Sequence, residues 1–325
     1  MGYRNKVWVI GDASVDLVPE TTETYLKCPG GASANVAVCI ARLGGHSEFI
    51  GCLGDDDAGH FLKQTLEDNG VGVAALRLDA TQTSSVLIVN LTAEGERSFT
   101  YLVHPGAEMF VCEQDLPTFK ANEWFYFSSI GLTSSPSREA CLEGARRMKA
   151  AGGHVMFDVN LRLNMWQNPD EIRALLGEAI SLASICKVSA EELCWIGQTE
   201  RWQDARHTIG ELGCDTTIIS LGAEGALLIS AGDEQLFPAP KITPVDTTGA
   251  GDAFVGGLLH TLSHSLTRDN QKLAEAITNA NLCGAMVVTA KGAMTALPYP
   301  QQLTAFRSSH LLESHIKPSG VIYES

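Results

Sequence analysis

The chain has 325 residues, 45% apolar, 19% charged and with only 12 prolines, which is enough apolar side chain to bury a substantial core and excludes a disordered chain. A formal net charge of −15 repels phosphate backbones and anionic lipid, so nucleic acid and membrane surfaces are excluded as main partners. The nine cysteines are odd in number and form no C-x-x-C pair, and no apolar run reaches membrane-spanning length; a cytoplasmic protein with free thiols is expected.

In chain order, Val7, Trp8, Val9 and Ile10 read as a buried strand ending at Gly11-Asp12. The pattern then predicts a helix over 33–43 stopped by Gly44-Gly45, a strand over 49–53 and a helix over 58–69 stopped by Gly70. Further strands are expected over 124–130, 155–159, 185–188 and 217–221, with helices over 138–150, 171–182, 202–212 and 272–287 among them. Near-continuous apolar strands separated by helices are the pattern of a parallel sheet covered on both faces.

Two segments break that rhythm. Residues 15–27 carry strand-like residues without a helical period, and 84–103 reads as a hairpin whose strands, 86–91 and 98–103, flank a glycine-containing turn at 92–96. They form either a small β-layer beside the main sheet or an edge meander that pads it. No linker is long enough to separate domains, and a polar tail follows about residue 312.

Residues 244–254 read P-V-D-T-T-G-A-G-D-A-F and lead into a helical run over 255–263. Gly249, Ala250 and Gly251 are small enough for a ligand to approach the backbone, and the first N–H groups of a helix have no intrahelical partner, so an anion is favoured there. Asp252 at the same end could accept the proton of an attacking hydroxyl during phosphoryl transfer. By itself the segment reads first as a helix start stabilised by an acidic first turn. It is not a P-loop, since the Lys-Ser/Thr after the glycines is missing. A nicotinamide-dependent dehydrogenase is excluded by Gly11-Asp12-Ala13-Ser14-Val15-Asp16, where G-x-G-x-x-G should follow the first strand.

The full string Asp246-Thr247-Thr248-Gly249-Ala250-Gly251-Asp252-Ala253-Phe254 resembles the C-terminal motif of the ribokinase-like (PfkB-type) carbohydrate kinases. Gly30-Gly31-Ala32-Ser33-Ala34-Asn35 resembles the N-terminal motif of that family, and Gly54-Asp55-Asp56-Asp57-Ala58-Gly59 a third, in family order over most of the chain. The resemblance implies one domain over 1–325, a three-layer α/β/α sandwich with a mostly parallel central sheet and a small β-sheet lid from about 12–31 and 83–109. It implies Asp252 as proton acceptor, the amides of Gly249, Ala250 and Gly251 as anion hole, and Asp16, Gly31 and Asn35 on the sugar hydroxyls, with Tyr101 covering the ring. On the residues alone Asp16 could be a solvated turn residue, Asn35 a helix-start residue and Tyr101 ordinary sheet packing.

The segment 158–162 resembles the family's D-x-N-x-R and implies a phosphate or substrate clamp at Arg162. Lys187 and Glu192 fall near the nucleotide phosphates, with Glu192 in the Mg²⁺ neighbourhood through water, although Ser189 stands where many relatives have Asn. Ser220, Gly222 and Gly225 resemble the loop that passes ATP, and Asn281 an adenine-side position. Asp246 and Thr248, with backbone carbonyls near Val287, Ala290 and Gly292, resemble a K⁺ site, although Ala296 replaces a Ser ligand of some relatives. The activity implied is transfer of the ATP γ-phosphoryl group to a primary hydroxyl of a furanose, the 5′-hydroxyl of an aminoimidazole riboside first and fructose as alternative, in a homodimer joined through the lid. A regulator that kept the fold and lost the chemistry would lack Asp252 or the glycines, and both are intact.

Overall fold

Successive strand residues point to opposite faces, and in the central strands both sets are apolar. Val7 and Val9 enter one core while Trp8 and Ile10 enter the other; Trp124 and Tyr126 face the first, Phe125 and Phe127 the second. Such strands are stable only between two helical layers, and the computed structural model, which describes residues 4–91, 97–166 and 168–311, has that sandwich.

The strands and helices in chain order are β1 (Lys6–Ile10), β2 (Ser14–Pro19), β3 (Tyr25–Gly30), α1 (Ala32–Arg42), β4 (His46–Gly54), α2 (Asp57–Asp68), β5 (Gly72–Asp79), β6 (Val86–Leu91), β7 (Arg97–Tyr101) and β8 (Trp124–Ser128). They continue as α3 (Ser137–Ala150), β9 (His154–Asp158), α4 (Pro169–Leu182), β10 (Ile185–Ser189), α5 (Ala190–Gly197), α6 (Thr208–Glu211), β11 (Thr216–Ser220), β12 (Ala226–Ser230), β13 (Asp233–Phe237), α7 (Ala250–Ser263), α8 (Asn270–Val287) and α9 (Pro300–Leu311).

Among the described residues the main sheet has nine strands in the order β13-β12-β11-β10-β9-β8-β1-β4-β5, parallel from β5 to β11, with β12 and β13 antiparallel at one edge. Helices α1, α2, α7 and α8 contribute to one core, and α3, α4, α5 and α6 to the other. From β1 the chain builds outward to β4 and β5, then returns to the other side of β1 and continues through β8. Beside β1 the strand order therefore reverses, and the carboxyl ends of the strands flank a crevice where ligands of open α/β sheets bind. A second sheet, β3-β2-β6-β7, joins the two segments that lacked helical period, with β2 and β6 parallel and the outer pairs antiparallel. The small β-layer, not the edge meander, is what forms.

Some expectations are corrected. The helix expected over 202–212 is broken: a 3₁₀ turn (Trp202–Ala205) precedes the four-residue α6, and between them the Arg206 side chain turns back to donate to the Gln203 carbonyl at 2.7 Å. The strand expected to reach residue 130 ends at Ser128 and passes into a 3₁₀ turn (Ser129–Leu132). β5, β12 and β13 were not anticipated. The turn at 92–96 and the tail from 312 lie outside the described residues. None of the helices among the described residues is long and apolar enough to cross a membrane.

Candidate active site

A cleft of about 440 Å³ opens at the reversal point, walled by the small sheet on one side and by the starts of α1 and α7 on the other. Gly31 begins α1 at φ 98°, and a Cβ there would meet the Ala13 Cα at 2.6 Å, so close backbone approach requires glycine. Asp12, at the end of β1, accepts from the Ala32 N–H (2.7 Å), the Ser33 N–H (3.1 Å) and the Ser33 hydroxyl (2.8 Å), fixing the helix start. Gly30 leaves the space that the Asp16 carboxyl occupies, and Ser14 donates to Asp16 at 2.9 Å. Asp16 thus reaches the cleft from β2.

Across the cleft, Asp252 lies in the first turn of α7, and the Asn35 amide donates to it at 2.8 Å. Burial pushes the Asp252 carboxyl up to about 7; the Asn35 bond pulls it down, and Asp158 and Asp12 push it further up. A carboxylate titrating near the working pH is a competent proton acceptor. Gly249 begins α7 in the left-handed region (φ 80°), and a Cβ there would meet the Ala293 Cβ at 2.7 Å. Gly251 faces the open cleft, where the nearest heavy atom to an added Cβ is the Lys187 Nζ at 3.7 Å. An anion at the Gly251 backbone would therefore have a cation beside it, whereas the Ala250 N–H donates to the Thr247 carbonyl at 3.3 Å and Ala250 stands outside the cleft lining.

Lys187 is buried on β10 and pairs with Asp158 at 3.1 Å. Burial pulls its ammonium down, but Asp158 and Glu192 outweigh that and hold its pKa above the ordinary lysine value. Removing it would leave a buried carboxylate alone, so Lys187→Met is expected to cost roughly 3–5 kcal/mol of stability. The check is denaturant unfolding of Lys187→Met beside Lys187→Met/Asp158→Asn, in which stability should largely return.

Glu192 spends both carboxylate oxygens on backbone amides, of Leu161 (2.7 Å) and Ser189 (2.8 Å), while the Ser189 hydroxyl accepts from the Glu192 N–H. Ser189, the departure from the family pattern, is the N-cap of α5. Arg162 stands exposed at the cleft rim, and the turn it begins brings Met165 to the Tyr101 hydroxyl, 3.7 Å away on β7. Burial pushes the Tyr101 hydroxyl up to about 12, with Asp12 and Glu108 adding to the shift.

The structure thus brings Asp16, Gly31, Asn35, Tyr101, Arg162, Lys187, Glu192, Thr248, Gly249, Gly251 and Asp252 to one cleft. Ser220, Gly222, Gly225 and Asn281 stand outside that lining. Asn281 donates to the carbonyls of Phe237 (2.9 Å) and Pro238 (3.4 Å), and Gly225 lies against the same Phe237 carbonyl, so those two meet where β13 ends. Asp246 ties two loops behind the start of α7, accepting from the N–H groups of Thr248 (3.0 Å) and Gly292 (2.8 Å), while the Val287 carbonyl accepts from Ala290 (3.3 Å). Sequence reasoning missed Asp12, Asp158 and Glu108 as lining residues. Asp12 closely follows β1 and Asp158 ends β9, so both stand at carboxyl ends of sheet strands, a signal that could have found them; Glu108 has no such mark.

The pfkB family carbohydrate kinase model matches residues 4–300. The chain is 71% identical over 312 residues to the aminoimidazole riboside kinase of Salmonella typhimurium, covering 96% of this chain and 98% of that one. It also superposes, with TM-score 0.90, on a crystal structure of the Salmonella enterica aminoimidazole riboside kinase complexed with aminoimidazole riboside and an ATP analog (68% identity; 94% of this chain, 100% of that one). The same score relates it to a Vibrio cholerae fructokinase with fructose, ADP and potassium ion bound, at 42% identity over 94% of this chain and 99% of that one. Together with the cleft that its own motifs build, this similarity along nearly the whole length shows that the chain belongs to the pfkB family of carbohydrate kinases.

Proposed function

We propose that the chain transfers the γ-phosphoryl group of ATP to the 5′-hydroxyl of an aminoimidazole riboside. The observation that carries this reading is the 71% identity, over nearly the full length, to a kinase named for that substrate, against 42% to the fructokinase. Asp16, Gly31 and Asn35 bind the furanose hydroxyls, a task suited to carboxylate and amide groups that can each engage vicinal hydroxyls. Asp252 takes the hydroxyl proton as the phosphoryl group leaves ATP, and Asn35 holds that carboxylate in place. The amides of Gly249, Ala250 and Gly251 carry the charge on the transferring group, with Lys187 beside them and Arg162 closing from the rim.

Glu192 positions the Leu161 and Ser189 backbone near the phosphates and leaves only outer contacts for Mg²⁺, which supplies charge neutralisation when bound. Ser220, Gly222, Gly225 and Asn281 shape the nucleotide side around the Phe237 carbonyl. The donor set of Asp246, Thr248 and the carbonyls of Val287, Ala290 and Gly292 is all oxygen with one formal charge, which fits K⁺. The four-stranded sheet, drawn from the proposed lid segments 12–31 and 83–109 of a single domain, excludes water from the sugar. Tyr25, Leu26 and Leu102 are exposed apolar residues on and beside it, which supports a homodimer through this sheet.

The test is a panel of aminoimidazole riboside, fructose, ribose and adenosine with ATP, ranked by kcat/KM. The riboside is expected first, and a higher value for fructose would overturn the reading. Asp16→Ala is expected to raise the riboside KM by roughly tenfold or more, with kcat less affected. An unchanged KM would remove Asp16 from the pocket.

A further inference from the structure

Glu108 is a buried carboxyl outside the motifs quoted above. It lies in the 3₁₀ turn Ala107–Phe110, is 5% exposed and lines the cleft. The Ser85 hydroxyl donates to its Oε1 at 2.7 Å, while its Oε2 is shielded from water and finds no donor in another residue. A carboxyl oxygen in that state is relieved either by taking a proton or by a donor brought into the cleft.

The surroundings say what that donor belongs to. Ser85 immediately precedes β6, where Leu87 pairs with Tyr101 of β7; both line the cleft. The Tyr101 hydroxyl meets Met165, and the Thr133 hydroxyl joins the Met109 sulfur (3.6 Å) to the Ile130 carbonyl (2.8 Å). Leu87, Tyr101, Met109, Ile130 and Met165 thus form a largely apolar wall fit for a flat ring. The furanose-binding groups stand elsewhere, at the start of α1 and on β2. Glu108 supplies this wall with a carboxyl acceptor.

We propose that Glu108, held by Ser85, recognises the exocyclic amine of the aminoimidazole ring and so selects an amine-bearing riboside; the inference rests on the substrate reading above. The amine donates an N–H to the carboxyl, and no bond is made or broken. Burial pushes the Glu108 carboxyl up to about 7, so above that pH it is a full acceptor.

The test compares kcat/KM on aminoimidazole riboside and on imidazole riboside, the same nucleoside without the amine. Glu108→Met is expected to lower the first by roughly ten- to a hundredfold and to leave the second within about twofold, with Glu108→Gln recovering part of the loss. Ser85→Ala, which keeps the carboxyl and loses its orienting bond, should shift the same ratio in the same direction by less; it serves if the methionine variant does not fold. An equal loss on both ribosides, or no loss on either, overturns the proposal. Failure of the wild-type protein to phosphorylate either riboside overturns the substrate reading itself.

Discussion

Asp252→Asn is expected to lower kcat by roughly two to four orders of magnitude while nucleotide affinity stays largely unchanged. Asn fills the same volume beside Asn35 but cannot take a proton. For the wild-type protein, kcat/KM should fall as pH drops through about 7, because protonation removes the same acceptor. The carboxyl also predicts stability. In the folded chain it keeps its proton up to about pH 7, whereas the unfolded carboxyl loses it near its ordinary value of 3.8. Between those values the folded state binds more protons, so the contribution is complete below the lower value and is lost as pH rises through the upper one. Asn carries no such penalty. Asp252→Asn should therefore melt above the wild-type protein at pH 8, with the gap closing toward pH 5. Near-normal turnover in this variant would end the assigned role, and a gap that widened on acidification would contradict the electrostatic account.

Gly249→Ala should be severe in a different way. A methyl group there meets Ala293 at 2.7 Å, and φ 80° is unfavourable for any side chain, so the loop must shift or strain by roughly 1–3 kcal/mol. Displacing the donors of the anion hole is expected to cost roughly a hundred- to a thousandfold in kcat. Gly251→Ala separates the two effects. Its methyl would enter open cleft 3.7 Å from the Lys187 Nζ, and alanine suits a helix first turn, so stability should hold or rise. Activity should still collapse, because the methyl takes the place of the phosphate. Thermal melting and steady-state kinetics on both variants decide this. Full activity in Gly251→Ala would mean that no anion comes to those amides.

Most of the architecture is written in local pattern. Strands such as β1, β8 and β9 are apolar on both faces, and helices such as α1 and α2 are followed closely by glycines, so both kinds of element could be read from their own residues. β13 was missed because its residues Asp233, Glu234 and Gln235 carry an edge strand's exposed, polar surface. Its turn partner β12 was missed because Ala231 and Gly232, both at positive φ, do not form a strong hairpin signal. The helix expected over 202–212 breaks where the Arg206 side chain turns back to the Gln203 carbonyl, which periodicity does not register. In the site, the segment 246–252 and the start of α1 were legible because their chemistry requires small residues at fixed spacing. That Asn35 donates to Asp252, 217 residues away, and that Glu108 meets Ser85, follow only from tertiary placement. No spacing encodes those contacts.

The grip of Asp12 on Ala32 and Ser33 has a mechanical meaning. The excursion through β2 and β3 leaves β1 and returns to α1 at nearly the same point, so it is a loop drawn shut at its base by one carboxylate. The start of α1, and with it the bond between Asn35 and Asp252, is thereby pinned to the far end of β1 and so to the large sheet.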